Sequence, residues 1–330
     1  MKKNKMIGVV SLAMAGMISL IGCGSNIKNV GNNSGENLYT IGINQLADNP
    51  ALDDARKGFE DGLKELGVNA KIVYQNAQGD VPNSLMIAQK FVKDEVDLIY
   101  AIATPAVQST KQATSDIPIL FSAVTDPVKS EIVDDWEDVG GNITGTSDLA
   151  DAASQLKMFK EIDPNIKTIG ILYNTGESNS AIQIEEVEKL APSEGLNVIT
   201  VGVSSVNEIP QAIDSLLNKV DAMYNLSDSM IAGAVELVST KLIERNTISV
   251  STEETQVNGG LLVTNGLSYY DLGKQTAVMA KEILVDKKDI STIPVGLAEK
   301  TVTTVNEKTL ELLGLDSNLP LFKDAIKVGK

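Results

Sequence analysis

The sequence predicts an α/β protein with two doubly wound parallel-sheet lobes joined by a hinge. One observation is an internal repeat, because Thr-Ile-Gly-Ile at residues 40–43 returns 128 residues later at 168–171. Residues 119–122 and 248–251 match at the similar spacing of 129. A period this long indicates a duplicated lobe, since solenoid repeats run roughly 20–50 residues. The other observation is the alternation of short apolar strands with helices, which is typical of parallel sheets.

In the first lobe, apolar runs are bounded by turn residues. Asn49-Pro50 is a cap and first-turn pair that begins a helix, and Gly67 ends it. Strands are predicted at residues 39–45, 69–75, 98–103 and 118–122, and helices at 51–66, at 82–92 and from Thr104-Pro105 onward. We expect this lobe to span residues 38–146 plus about 267–292, the second part containing a helix at 270–284.

The second lobe repeats the scheme. Strands are predicted at residues 168–173, 197–203, 222–226 and 247–251, and helices at 180–190, 206–217 and 229–244. A further strand near 302–305 suggests a third crossing between the lobes, which makes the hinge three-stranded. This lobe is therefore expected to span residues 147–266 plus about 293–330. Two such lobes form a cleft at the carboxyl ends of their sheets, where open α/β folds bind ligands.

The N-terminus predicts export and lipid attachment. Residues 1–5 carry three lysines, residues 6–22 are uncharged and apolar, and Cys23 follows, which resembles a bacterial lipobox. We expect residues 1–22 to be a signal peptide, Cys23 the lipidation site, and residues 23–37 a flexible tether. This places the protein on the outer face of the cytoplasmic membrane. The alternative is an uncleaved anchor, but the run is short for a span of about 20 residues.

Composition excludes several classes of function. The chain has 330 residues, a net charge of −16 and no histidine. An acidic surface disfavours nucleic acid as a partner. Histidine-based catalysis and histidine metal sites are excluded, and we expect no metal and no cofactor. Cys23 is the only cysteine, so it has no disulfide partner, and no oligomer interface is recognisable, so we expect a monomer.

The candidate ligand-binding residues follow predicted strands, where the loops of both lobes meet. They are Asn44, Gln45, Thr104, Pro105, Ser122, Thr125 and Asp126 in the first lobe, and Asn174, Ser178, Asn179, Ser180, Asp228, Ser229 and Glu253 in the second. Helix N-termini could hold a ligand carboxylate, and Asp126, Asp228 or Glu253 could hold an ammonium. Both ends together predict an α-amino acid as the ligand.

Each of these residues also has a simpler interpretation. Serine, threonine, asparagine and aspartate after strands are ordinary helix caps and turn residues, and Asp126-Pro127 is explained equally well as a turn. Asp228 is the best candidate, because its duplicate position holds Thr104 and both fall where a strand meets a helix. If Asp228 binds the ammonium, Asp228→Ala weakens amino-acid binding at least about tenfold.

Three segments carry a resemblance to a known family: residues 42–53, the Ala-Thr-Pro-Ala block at 103–106, and the Ser-Ala-Val-Thr-Asp-Pro block at 122–127. They resemble ABC transporter substrate-binding lipoproteins of the tryptophan/tyrosine type, which have the type I periplasmic-binding-protein fold. The resemblance implies an aromatic amino acid as ligand, an ATP-driven permease as partner, and no catalysis. Asn49 is a departure, since the family pattern has histidine before Pro-Ala-Leu-Asp.

Other functions remain as alternatives. An enzyme is disfavoured, because the chain lacks a dinucleotide-binding glycine motif and a P-loop. A sugar- or nucleoside-binding protein of the same fold is a second alternative, although the single tryptophan, Trp136, lies outside the predicted cleft loops. A surface lipoprotein adhesin is the third, and that role is compatible with ligand binding.

Overall fold

The computed structural model describes residues 38–329. The predicted signal peptide and Cys23 lie outside the described residues. The strands are β1 Tyr39–Gln45, β2 Ala70–Asn76, β3 Leu98–Ile102, β4 Ile119–Val124, β5 Ile143–Ser147, β6 Thr168–Asn174, β7 Asn197–Val203, β8 Ala222–Asn225, β9 Ile248–Glu253, β10 Val263–Leu267, β11 Gly296–Leu297, β12 Val302–Asn306 and β13 Ile326–Val328. The α-helices are α1 Pro50–Glu65, α2 Val81–Lys93, α3 Thr104–Ala113, α4 Ala152–Ile162, α5 Ser178–Leu190, α6 Ile209–Leu217, α7 Ser229–Gly233, α8 Val235–Glu244, α9 Glu254–Asn258, α10 Tyr269–Leu284, α11 Glu307–Leu312 and α12 Pro320–Lys323.

These strands form two sheets, as predicted. The first has the order β11-β5-β4-β3-β1-β2 and the second the order β13-β12-β10-β9-β8-β6-β7. All neighbouring pairs are parallel except β10 and β12. Helices cover both faces of such sheets, which is why the central strands β3 and β4 are buried along their whole length. The two doubly wound lobes of the predicted fold class are confirmed.

The chain passes between the sheets three times. It leaves the first sheet after β5, returns through α10, and leaves again between β11 and β12. Since β11 pairs with β5, the last crossing lies between Leu297 and Val302, a few residues later than the sequence predicts. Strand β5 and helix α4 are elements that the sequence-based prediction lacks.

Two predicted helices differ from the observed ones. The helix expected at residues 229–244 is divided at Ala234 into α7 and α8, directly after Gly233. The helix expected at 206–217 begins with a 3₁₀ turn, and its α-helical part starts only at Ile209, with a proline in its first turn. Glycine lowers helix stability and proline favours a first turn, which accounts for both boundaries.

Each lobe has its own apolar core with an aromatic pair. In the first lobe Tyr100 stacks on Phe59 with ring centroids 4.1 Å apart, and in the second Tyr224 meets Phe159 edge-on at 6.3 Å. Both tyrosines are buried, so each contributes to the packing of its core.

Helices α1 and α10 cross with their backbones in contact. A Cβ atom at Gly58 would lie 2.0 Å from the carbonyl oxygen of Tyr270, and one at Gly273 would lie 2.0 Å from that of Ala55. Only glycine permits this approach at both positions. The crossing fixes α10, which follows the second passage of the chain between the sheets, to the first lobe.

Candidate functional site

A cavity lies between the lobes at the carboxyl ends of both sheets. The space free of protein atoms there amounts to about 290 Å³ when the part open to solvent is counted. The lining residues are Asn49, Ala51, Leu52, Ala103, Thr104, Ala123, Asp148, Asn179, Ser227, Asp228, Ser229, Ala232, Glu253 and Tyr269. They combine a small apolar wall of alanines and a leucine with hydroxyls, amides and carboxylates. A crevice at this place is where open α/β folds bind ligands.

The first lobe presents strained backbone to the cavity. Ala103 has φ 81° and Ala123 has φ 59°, values that alanine rarely adopts. Such conformations cost on the order of 1–3 kcal/mol each and cluster at functional sites. Ala103 is the N-cap of α3 and makes no side-chain cap hydrogen bond, so this helix presents an uncapped N-terminus beside Thr104. A helix end of this kind attracts an anionic group.

Asp148 and Tyr269 are joined at the hinge. Asp148 directly follows β5, Tyr269 is the first residue of α10, and the tyrosine hydroxyl donates to Asp148 Oδ2 at 2.5 Å. Burial raises the pKa of the Asp148 carboxyl, although the hydroxyls of Tyr269 and Thr125 favour its ionised form. Burial and the Asp148 charge raise the pKa of Tyr269 well above its usual value, so the phenol remains a hydrogen-bond donor.

Two further carboxylates surround the N-terminus of α7. Asp228 Oδ1 accepts from the amide of Ile231 at 3.0 Å, and Glu177 Oε2 accepts from the amide of Ser229 at 3.0 Å. Burial raises the pKa of both carboxyls, and the charge of Asp228 raises that of Glu177 further. The second Asp228 oxygen, Oδ2, accepts from the amide of Asn174 and the hydroxyl of Ser180, each at 2.7 Å. Both oxygens of Asp228 are therefore occupied by protein donors.

Glu253 lies at the end of β9. Its carboxylate accepts from the hydroxyl of Thr255 at 2.7 Å and from the amide of Gln256 at 2.8 Å. Burial raises the pKa of Glu253 to about 7, against the stabilising effect of these two donors on the ionised form. The nearby Asp148 charge adds to the increase.

Three buried polar atoms at the cavity have no hydrogen-bond partner among residues 38–329. They are Asp148 Oδ1, Asn179 Oδ1 and Thr104 Oγ1. The Asn179 amide group donates to the carbonyl of Ser227 at 2.8 Å, so its free atom is an acceptor. Buried polar atoms are nearly always paired, so unpaired ones that line a cavity are candidates for contact with a ligand or with water. Two of the three atoms accept hydrogen bonds only, and the Thr104 hydroxyl can donate as well.

Five of the predicted ligand-binding residues line this cavity: Thr104, Asn179, Asp228, Ser229 and Glu253. Three others have their polar groups paired inside the first lobe. Asn44 donates to Thr110 Oγ1 at 3.1 Å, Gln45 donates to Asp53 at 3.0 Å, and Ser122 lies 2.7 Å from the hydroxyl of Thr276. These three side chains support the strand ends beneath the cavity.

The remaining predicted residues lie around the cavity. Asn174 and Ser180 hold Asp228, while the exposed Ser178 accepts a long hydrogen bond from Gln108 at 3.4 Å. Pro105 is buried in the first turn of α3.

Thr125 and Asp126 lie in a neighbouring groove. Asp126 Oδ1 accepts from the amides of Val128 and Lys129 at 3.1 Å and 3.0 Å. Its carboxylate therefore stabilises the turn that the simpler interpretation predicts.

Asp148 and Tyr269 are cavity residues absent from the predicted set. Asp148 could have been found only by recognising β5, whose sequence Ile-Thr-Gly-Thr-Ser contains a single aliphatic residue. Asn49 also lines the cavity, while its side chain caps α1 by accepting from the amide of Leu52 at 2.9 Å.

The two lobes touch across the cavity. Asn49 Nδ2 donates to the carbonyl of Ser229 at 3.4 Å, and the Tyr269 hydroxyl lies 3.4 Å from Ser227 Oγ. Together with the bond from Gln108 to Ser178, these contacts join the first lobe to the second. The arrangement is therefore a closed one.

The comparison with known proteins identifies the family. The model of the ABC transporter substrate binding protein family matches residues 40–328. The chain belongs to this family. A tyrosine-binding protein of Clostridioides difficile is 38% identical, over 99% of this chain and 96% of that protein. Among solved structures, an ABC domain in complex with L-Trp from Streptococcus pneumoniae is 33% identical with a TM-score of 0.85, covering 88% of this chain and 100% of that one.

A further structure supports the closed arrangement. The ligand-free, open structure of a substrate-binding protein with adhesive properties from Clostridium difficile is 38% identical but has a TM-score of only 0.67, over 88% of this chain and 99% of that one. Identity alone would favour this structure over the L-Trp complex. The lower score is consistent with different lobe positions, because the present structure has direct contacts between its lobes.

The substrate-binding protein of an ABC transporter works outside the cytoplasm. Within residues 38–329 no helix is long and apolar enough to cross a membrane. The same residues contain no group of three or more acidic or cysteine side chains placed to hold a metal ion.

Proposed function

We propose that this protein captures an aromatic L-amino acid, tyrosine or tryptophan, between its lobes and delivers it to an ABC permease. The observation that carries the proposal is the set of unpaired buried atoms at the cavity. Asp148 Oδ1 and Asn179 Oδ1 accept hydrogen bonds, and Thr104 Oγ1 stands at an uncapped helix N-terminus. Acceptors suit an ammonium group, and the helix N-terminus suits a carboxylate.

Asp148 is the proposed acceptor of the ligand ammonium. Its Oδ1 atom is free, whereas both oxygens of Asp228 are occupied by protein donors. We therefore assign binding of the ligand ammonium to Asp148 rather than to Asp228, the residue that the sequence suggested. Asp228 instead caps α7 at the cavity wall. A ligand ammonium beside Asp148 would pair a charge whose burial is otherwise unfavourable.

The side chain of the ligand would pack on the apolar wall. Ala51, Leu52, Ala103, Ala123 and Ala232 lie in the cavity lining, and their side chains are apolar. The tyrosine-binding relative and the L-Trp complex support an aromatic ligand. The choice between tyrosine, tryptophan and phenylalanine depends on the shape of this wall.

Transport would follow from lobe closure. Ligand binds one lobe, the other closes over it, and the permease distinguishes the closed form, so ligand acts by shifting a population. We propose that lipidation at Cys23 keeps the protein at the membrane and that no reaction is catalysed. In this proposal, ligand binding, lobe closure and delivery to the permease follow one another without any covalent change.

Ligand-dependent thermal unfolding tests the proposal. The chain from residue 26 is heated with each of the twenty amino acids, with ribose and glucose as controls. A ligand that binds only the folded form stabilises it by roughly 2.7 kcal/mol at a hundredfold excess over its dissociation constant. We expect a shift with tyrosine or tryptophan. A shift with a sugar alone, or with no amino acid, would contradict the proposal.

Adhesion is a second candidate function. It is favoured by the 38% identical substrate-binding protein whose structure is described as having adhesive properties. A deletion strain complemented with Asp148→Asn separates the roles. If adhesion is independent of ligand, this variant restores cell adherence while amino-acid uptake stays low.

A further inference from the structure

The cavity is unbalanced in charge. Asp148 and Glu253 line it with 3% and 1% of their surfaces exposed, and Asp228 is exposed by 1%. Glu177, exposed by 4%, stands behind Asp228. None of the described residues that line the cavity is lysine or arginine. A ligand carboxylate therefore meets no positive side chain in the cavity, while a ligand ammonium meets negative charge.

The unpaired atoms show the same imbalance. Asp148 Oδ1 and Asn179 Oδ1 can only accept hydrogen bonds, and an ammonium group supplies three donors. For the carboxylate, the donor among these unpaired buried atoms is the hydroxyl of Thr104, exposed by 1%, and the partly buried hydroxyl of Ser229 also lines the cavity. A charged hydrogen bond to an ionised acceptor is about twice as strong as a neutral one. The ammonium end should consequently contribute most of the affinity.

The carboxylate and the ammonium of the ligand both lose hydration on burial, but only the ammonium meets opposite charges among the lining side chains. An anion transferred from water into a site without a cation loses hydration, and the surrounding carboxylates repel it. The N-terminus of α3 offsets part of this cost, since a helix end is equivalent to roughly half a positive charge. Raised pKa values of Asp148, Asp228, Glu177 and Glu253 have the same origin, because burial opposes negative charge in this region.

We propose that the cavity also binds aromatic primary amines that lack a carboxylate, with affinity close to that of the matching amino acid. The inference rests on the proposed function, because it assumes that the same cavity holds the amino acid. Arylethylamines have the ring and ammonium of the amino acid and omit only the group that meets repulsion. Arylpropionates keep the carboxylate and omit the ammonium, so they are the matched opposite case.

Calorimetry with three matched ligands tests the inference. At pH 7.5 the protein is titrated with L-tyrosine, tyramine and 3-(4-hydroxyphenyl)propionate, or with the corresponding set for tryptophan if that amino acid binds better. We expect the dissociation constant of the amine within about tenfold of the amino acid, and that of the acid at least about a hundredfold weaker. An amine more than about tenfold weaker than a binding amino acid, or an acid less than about a hundredfold weaker than that amino acid, would overturn the inference. Failure of every aromatic amino acid would instead refute the proposed function.

Two variants locate the ends of the ligand. Thr104→Val keeps the side-chain shape and removes a hydroxyl without a protein partner, so it should weaken tyrosine severalfold and leave tyramine within about twofold. Asp148→Asn should weaken both ligands at least about tenfold. Equal losses of tyrosine and tyramine in Thr104→Val would show that the hydroxyl does not contact the carboxylate, and would overturn the assignment. Thermal midpoints of both variants without ligand check that folding is intact.

Discussion

Asp148→Asn changes the charge of the proposed ammonium acceptor while keeping its size. In the wild type, Oδ2 accepts from Tyr269 at 2.5 Å and Oδ1 is free at the cavity. The asparagine carbonyl can take the place of Oδ2 and accept from the hydroxyl of Tyr269. The variant should therefore fold normally, but it loses the negative acceptor that faces the ligand.

The expected loss follows from one charged hydrogen bond. Such a bond contributes about 1.5–3 kcal/mol, which corresponds to about a ten- to 150-fold weaker dissociation constant. Stability should change in the opposite direction. Because burial raises the pKa of Asp148, the folded state holds a proton more tightly than the unfolded chain, and ionisation costs stability as pH rises through the folded pKa. Asparagine does not ionise, so the variant should be at least as stable as the wild type at pH 7.5.

Calorimetry with L-tyrosine or L-tryptophan and urea denaturation at pH 7.5 measure the two effects. Asp126→Asn is the matched control, since it removes a carboxylate charge outside the cavity and asparagine can still accept from the amides of Val128 and Lys129. We expect its affinity within about twofold of the wild type. Unchanged affinity in Asp148→Asn would refute the reasoning, as would a loss of equal size in the control.

Three other variants test the roles of neighbouring residues. Asp228→Ala should lower the free energy of unfolding by at least about 1 kcal/mol, because it removes the cap of α7, and it should weaken binding as a consequence. Glu253→Gln should flatten the pH dependence of the free energy of unfolding. The pKa of Glu253 is about 7 in the folded protein, compared with an ordinary value of 4.5. The free energy of unfolding of the wild type should therefore fall by roughly 3 kcal/mol as pH rises from 4.5 to 7. Asn49→Ser keeps a side chain that can cap α1 but loses the hydrogen bond to Ser229. Ligand binding should therefore weaken severalfold, and the X-ray scattering profile in solution should shift towards that of an open form. The thermal midpoint should stay nearly unchanged.

Each of these three predictions can be contradicted separately. Strong loss of binding in Asp228→Ala at full stability would restore the sequence-based role of Asp228 as ammonium acceptor. A stability profile of Glu253→Gln parallel to that of the wild type would show that another group titrates. A lower thermal midpoint in Asn49→Ser would assign Asn49 to the cap of α1 alone.

The architecture could be predicted because it rests on patterns that repeat. The duplicated Thr-Ile-Gly-Ile segment and the buried apolar strands specify two parallel sheets whatever the loops contain. Strand β5 is different, because Thr144 and Thr146 are buried with their hydroxyls bonded to Ile293 and Thr276. Polar residues that are hydrogen-bonded to distant partners form a strand without an apolar run, so the sequence pattern indicates neither β5 nor the position of Asp148 after it.

The site could be predicted only in part, because a cap and a ligand contact use the same residue types. Thr104 and Asp228 both stand where a strand meets a helix. Their difference lies in distant donors: the amide of Asn174 and the hydroxyl of Ser180 occupy Asp228, whereas Thr104 has no partner in the described part of the chain. Those donors are 54 and 48 residues away in sequence, and only the fold brings them together.

The junction of β10 with α10 has a mechanical consequence. A single residue, Ser268, separates the strand of the second lobe from the helix that is fixed to the first through Gly58 and Gly273. Tyr269 and its partner Asp148 therefore stand at two passages of the chain between the lobes. A rotation of the lobes about these passages would displace atoms in proportion to their distance from them, so Asp148 would move little. The proposed ammonium acceptor would then be in position before the lobes close.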